Sequence, residues 1–242
     1  MKRIADAARL QAAVYLKTGR AVMPGLALLV FLVTFYSVGP ADLVSSTALT
    51  ALALFLCMTW AGISFARGEE PVISQLVQLK LGSLLRETAS RALLLLAAAL
   101  VASAFSAAWP LTKNAVSGGT FFIRDVKARD IVGMFLLLVS SSLAGGAYGG
   151  LFHSRIVGDT RLAWLLALGG CLAGVFSGVI IRGIPVFAYL SPLFPPVYSL
   201  ITRFDGSVTF EASELTKAVA ACWIYAAAAF SVKILLLRRI RY

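Results

Sequence analysis

The sequence predicts an all-α integral membrane protein of six transmembrane helices, with an N-terminal amphipathic elbow helix and a re-entrant or interfacial hairpin between the fifth and sixth spans. Three observations predict it. Apolar residues fill 60% of the 242 positions and charged ones only 14%, where soluble domains carry about 25% charge. The apolar residues gather into blocks close to the roughly 20 residues a helix needs to cross the hydrocarbon. The Lys and Arg residues divide unevenly between alternate joints, as topology demands of cytoplasmic segments. The chain therefore reads as a single transmembrane domain, 1–242, in which no soluble catalytic domain has room.

The first element is the elbow, 1–20. Lys2, Asp6, Arg9, Lys17 and Arg20 recur at helical spacing, Ile4, Ala7, Ala8, Val14 and Tyr15 take other faces, and neither Gly nor Pro interrupts residues 1–18. That pattern suits an amphipathic helix on the inner leaflet, leading into the membrane; a topogenic charge cluster is the plainer alternative. Met1-Lys2-Arg3 is basic like a signal peptide, but a polar stretch up to Arg20 precedes the first apolar run, and Ser37-Val38-Gly39-Pro40 is a poor cleavage site. The first span is expected to be retained.

Six blocks qualify as spans: 21–38, 47–66, 92–111, 131–152, 162–181 and 218–237. A seventh apolar stretch, 184–201, contains Pro185, Pro192, Pro195 and Pro196. Each proline removes a backbone donor and clashes with the preceding turn, so a re-entrant or interfacial segment is expected there. Six spans put both termini on one side. With that side inside, cytoplasmic segments hold 15 of the 22 Lys and Arg and outer segments the other seven. The expected location is the bacterial cytoplasmic (inner) membrane, multi-pass, with N- and C-termini cytoplasmic. The formal net charge of +11 then records topology and anionic headgroups, and nucleic acid is not an expected partner.

The longest cytoplasmic loop is 67–91. Pro71 suits a first helical position, Glu69 and Glu70 sit where the positive end of a helix dipole falls, and Val72, Ile73, Leu76 and Val77 form a one-sided apolar stripe. Gly82 can end that helix and Ser83 can cap the next. Such a stripe must bury itself against headgroups, its own bundle or a partner protein. Further on, Gly145/Gly149 and Gly146/Gly150 in the fourth span, and Gly170, Gly174 and Gly178 in the fifth, repeat at four-residue spacing. Small residues so spaced let helix backbones approach closely. They predict tight packing of these two spans, held antiparallel by the joint His153 to Gly158; a substrate-lining role is the alternative.

Chemistry is sparse. All five Glu and all six Asp lie in loops or the N-terminal segment, and Lys233 is near enough to the interface to snorkel. A proton- or sodium-coupled carrier would place its ion site near mid-membrane, so none is expected. Ser177 in Gly174-Val175-Phe176-Ser177-Gly178 lacks a base, since the only histidine, His153, is on a joint. Cys57, Cys171 and Cys222 stand apart in apolar blocks as packing residues. No metal set, Walker motif or HExxH occurs. The chain is not expected to be an enzyme, nor to bind a cofactor itself.

The ordered features resemble the six-helix permease subunits of ATP-binding-cassette exporters of the type-2 export class. The resemblance covers nearly the whole chain. It runs through the elbow ending Lys17-Thr18-Gly19-Arg20-Ala21-Val22-Met23-Pro24, the loop Gly68 to Glu87, the fourth span ending Gly149-Gly150-Leu151-Phe152-His153-Ser154-Arg155, and Leu190-Ser191-Pro192-Leu193-Phe194-Pro195-Pro196-Val197-Tyr198. It implies that Glu69, Glu70, Pro71, Val72, Ile73, Gln75, Leu76 and Gln78 form the contact with a cytoplasmic ABC ATPase. Where many relatives have a Gly-Thr-Leu/Glu run, the acidic pair here leads directly into Pro71-Val72-Ile73-Ser74. It further implies two ATPase copies that carry the ATP and Mg, and a second permease copy or paralogue beside this one in the lipid. The function implied is outward movement of a hydrophobic or amphipathic substrate. A membrane-embedded lipid-modifying enzyme and a non-catalytic immunity or assembly subunit are the alternatives.

Overall fold

The computed structural model describes residues 2–68, 81–184, 186–190, 193–204, 206–207 and 209–239. Among these the chain is helical, with an isolated bridge between Ala41 and Phe122 in place of any sheet. The helices are α1 (Lys2–Lys17), α2 (Val22–Phe35), α3 (Leu43–Gly68), α4 (Leu84–Val116), α5 (Ala128–Gly150), α6 (Thr160–Val175), α7 (Ser177–Gly183), α8 (Phe187–Leu190), α9 (Val197–Phe204) and α10 (Ala212–Arg239). Four of them, α3, α4, α5 and α10, are long and apolar enough to cross a membrane. Two bent pairs, α1 with α2 at 74° and α6 with α7 at 72°, raise the number to as many as six if each is one span.

Each boundary has a local cause. Gly19, at φ +68, takes the left-handed turn after α1, where Thr18 N donates to Val14 O (3.1 Å), so α1 stops and the chain bends into α2. Pro24 sits in the first turn of α2, where its missing N–H has no helical acceptor. Gly82 at φ +70 precedes Ser83, whose Oγ accepts from Arg86 N (3.3 Å) and starts α4. At 33 residues, α4 is about 50 Å long. It begins eight residues before the apolar block at 92 that marks it in the sequence.

The centre of the bundle is the seam between α3 and α5. Of α5's most apolar window 78% is buried, against 22% for α10, so α5 is the helix around which the others pack. Gly145 lies on the Phe55 carbonyl and Gly149 on the Thr59 carbonyl of α3, while from α3 Gly62 lies against Gly146 O. Ser141 Oγ donates to Ala51 O across the same seam (2.6 Å). The glycine face of α5 thus meets α3, whereas the spacing had suggested α6 as its partner. Ser103 and Ser142 share a hydrogen bond between α4 and α5 (3.1 Å), and Trp223 Nε1 donates to Ser140 Oγ from α10 (3.0 Å). Ala218, Cys222, Ala226 and Ala229 turn a small-residue stripe of α10 inward.

The stretch 162–181, expected as one straight span, departs most from expectation, for the helix breaks at Phe176. Gly174 there faces Pro195 O, a Cβ falling 2.9 Å from it, and Gly178 faces the Tyr198 ring. The proline-rich stretch 184–201 forms the short α8 and most of α9 with no straight spanning helix among its described residues. Val197, Leu200 and Phe204 bury one side of α9.

Candidate functional site

One end of the bundle collects the C-terminal ends of α3, α5 and α10, the N-terminal end of α4, the 151–159 joint and α1. The Arg67 guanidinium, last turn of α3, donates to Val157 O (2.8 Å), Gly158 O (3.0 Å) and Thr160 Oγ1 (2.9 Å), which ties α3 to the joint and to the start of α6. Asp159 caps α6, its Oδ1 accepting from Arg161 N (2.8 Å). The Arg20 guanidinium lies over Gly68, at a helix C-terminus whose unpaired carbonyls favour a cation.

Here α1 docks on α4. Ser90 Oγ donates to Gln11 Oε1 (3.1 Å) and to Glu87 O (2.8 Å), with Ser90 and Gln11 both buried. Ala7 packs against Leu81, the first described residue after the loop, with Ile4 beside them. Tyr15 meets Phe65 of α3 edge to face at 5.5 Å. Glu87 and Arg91 form an i,i+4 ion pair at 2.8 Å, both side chains at most 5% exposed. A buried pair of this kind holds its geometry tightly, because either charge left alone is costly.

Around the C-terminal end of α5 the buried cations Arg91 and Lys233 converge on His153, with Arg155 and Arg67 nearby. Lys233 is 2% exposed, and its Nζ lies 3.6 Å from where a Cβ on Gly150 would fall. It is packed inside the protein. The negative end of the α5 dipole favours cations there. His153 accepts a hydrogen bond from Arg155 N at Nδ1 (3.1 Å), so its proton is on Nε2. Burial first, then the charges of Arg91, Lys233, Arg155 and Arg67, push its pKa down to about 3. The imidazole is neutral at physiological pH.

The residues that sequence reading singled out divide sharply. Glu69, Glu70, Pro71, Val72, Ile73, Gln75, Leu76 and Gln78 lie outside the described residues. Their flanks, Gly68 and Leu81, both belong to this end of the bundle. Gly145 and Gly149 lie at the α3 seam, while Gly146 and Gly150 leave room for a Cβ at ordinary contact distances. Gly170 faces the Tyr148 hydroxyl of α5, and Gly174 and Gly178 the 195–198 segment.

What sequence reading missed is the polar junction itself: Gln11, Glu87, Ser90, Arg91 and His153 as one buried group. The i,i+4 spacing of Glu87 and Arg91 was the available signal. Among the described residues no group of three or more His, Cys, Asp or Glu side chains could hold a metal, and Cys57, Cys171 and Cys222 are free thiols. Ser177 Oγ donates to Gly174 O (3.0 Å), a packing bond within the helix break. No protein-family model, curated protein or solved structure matches this chain.

Proposed function

We propose that this chain is the six-span permease subunit of an ATP-binding-cassette exporter, moving a hydrophobic or amphipathic substrate outward on ATP hydrolysed by a separate ATPase. The observation that carries the reading is the junction at the flanks of the 69–80 loop. Leu81 seats on Ala7 of α1, and Ser90 bonds Gln11 beside the buried Glu87–Arg91 pair. A partner that pulls on the loop therefore pulls at once on the elbow and on the start of α4. An allosteric drive needs such a mechanically continuous element, with different contacts in two states. In this reading α2, α3, α4, α5, the broken α6–α7 and α10 are the spans, α1 is the elbow, and both termini are cytoplasmic in a bacterial inner membrane. Two permeases, identical or paralogous, would work with two ATPases that hold the ATP and Mg.

The test is co-expression and co-purification with a candidate ABC ATPase, joined to a transport assay. The expected result is a stable complex that Leu76→Asp with Val77→Asp dissociates, with loss of nucleotide-dependent transport. A chain that never retains an ATPase, and a double variant that transports normally, would refute the reading.

A further inference from the structure

The face of α2 opposite Leu28 and Leu32 is left exposed among the described residues. Met23, Leu26 and Val30 stand on it, while Phe31 and Phe35, turned toward the core, and Trp60 of α3 form the inner edge of an open groove of about 780 Å³. From Met23 to Phe35 the groove runs about 18 Å along the helix axis, close to the roughly 15 Å depth of one leaflet's hydrocarbon. Its lining is apolar apart from Thr34. Its Met23 end stands three residues from Arg20, at the bend between α1 and α2, and that bend is basic. Lys17 and Arg20 are both exposed there, the Arg20 guanidinium lies over Gly68, and residues 7–41 hold no Asp or Glu, the acidic residues next to Gly68 in sequence, Glu69 and Glu70, lying outside the described residues.

An apolar slot one leaflet deep with two cations at its mouth matches a molecule with one long apolar chain and an anionic head. We propose that it binds one anionic phospholipid, an acyl chain lying along α2 against Trp60 and the phosphate at Lys17 and Arg20. A second copy of this chain would offer its own helix face to α2, and nothing in the basic mouth would be matched by it. A zwitterionic lipid would fill the slot without answering the charge. The site stands on the groove and the bend alone and does not depend on the transport reading.

The experiment uses the full chain with Trp60 as its single tryptophan (Trp109→Phe, Trp164→Phe, Trp223→Phe), in nanodiscs of phosphatidylcholine containing a minor fraction of brominated lipid. Bromine in an acyl chain quenches a tryptophan it touches. Brominated phosphatidylglycerol is expected to quench Trp60 with an apparent affinity on the order of fivefold or more above brominated phosphatidylcholine, from the attraction of each basic residue for anionic headgroups. Lys17→Gln with Arg20→Gln removes the preference, and Ala27→Phe, which fills the groove, weakens quenching by both lipids. Equal quenching by the two lipids reduces the site to ordinary annular contact and overturns the proposal. Absence of quenching by either shows another protein surface on the groove, a second copy included, and overturns it as well. Because the single-tryptophan chain could fold poorly, native mass spectrometry of the otherwise unaltered protein supplies the second readout. A phosphatidylglycerol adduct retained in preference to phosphatidylcholine, and lost in the Lys17/Arg20 double variant, is expected; no preference overturns the proposal.

Discussion

Replacing Gly149 by Ala should destabilise the protein, whereas the same change three residues earlier, at Gly146, should not. A Cβ at Gly149 collides with the Thr59 carbonyl and comes within 2.9 Å of Ile63 N. Both are backbone atoms of α3 and cannot rotate aside, so the helices must separate. Separation stretches the 2.6 Å bond from Ser141 Oγ to Ala51 O and opens the fit of Gly62 against Gly146 O. Overpacking of this kind costs about 1–3 kcal/mol, while Ala in place of a helical Gly returns about 1 kcal/mol. With backbone atoms as both obstacles the cost falls in the upper part of that range, so the net loss at Gly149 is about 1–2 kcal/mol. At Gly146 the added methyl meets Leu95 Cδ2 at 3.5 Å and Met58 Cε at 3.6 Å, ordinary contacts, so only the gain from helix propensity remains. Unfolding of the purified protein in detergent, by heat or by titration with a denaturing detergent, measures the difference directly. If Gly146→Ala loses as much stability as Gly149→Ala, or if Gly149→Ala is neutral, α3 and α5 do not touch through this glycine and the central seam is wrongly understood.

Other expectations follow from the same geometry. His153 has a folded pKa of about 3 against an ordinary value of 6.5, so the unfolded chain takes up the proton first as pH falls. Its share of stability is complete above about pH 6.5 and is lost as pH drops towards 3, reaching about 2 kcal/mol by pH 5; thermal unfolding across this range should flatten in His153→Gln, and an unchanged slope would sink the assignment. Glu87→Gln leaves the 2.8 Å partner of Arg91 without its charge and should cost about 3 kcal/mol, most of it recovered when Arg91→Met is added; a double variant no better than the single would show that the pair is not the source. For topology, with Cys57, Cys171 and Cys222 replaced, a membrane-impermeant maleimide should label Ser117→Cys in intact cells and Ser154→Cys only after permeabilisation. The reverse pattern would invert the bundle.

Much of the helical layout was legible because apolar blocks and punctuating residues act locally. Gly82 turns the chain and Ser83 caps the next helix through their own backbone angle and hydroxyl, with no help from distant residues. The start of α4 was less legible. Glu87 and Arg91 look like loop residues by polarity, yet they neutralise each other one turn apart inside the helix. Partnership between helices was hidden for a different reason. The four-residue glycine spacing says that some backbone comes close, but Gly62, which has no glycine four residues away on either side, is what lets α3 be that partner. The break at Phe176 was likewise invisible, since Pro195 and Tyr198, well along the chain, fill the spaces left by Gly174 and Gly178.

The ionisable side chains that the fold buries stand at its ends, and the two ends treat them differently. Near α1 the pair Glu87–Arg91 and Lys233 are nearly sealed from solvent, so their positions are set by packing and a shift in one helix is felt by the others. At the opposite end a single buried carboxylate, Asp130, pairs with Arg124 at 2.9 Å, while Arg203 and Lys217 share Glu214 with side chains roughly one-third or more exposed, an arrangement that solvent screens and that transmits little. Between the ends the buried polar groups include hydroxyls that link helices, such as Ser103 with Ser142 and Ser141 with Ala51 O, and these fix spacing without carrying charge. A displacement imposed at the sealed end therefore travels as rigid movement of α4 and α5 rather than as local rearrangement. The α3–α5 seam, where backbone lies on backbone, is the least yielding part. The compliant parts are the open flank of α2 and the broken α6–α7 pair, so a change of shape driven from the junction would be taken up there.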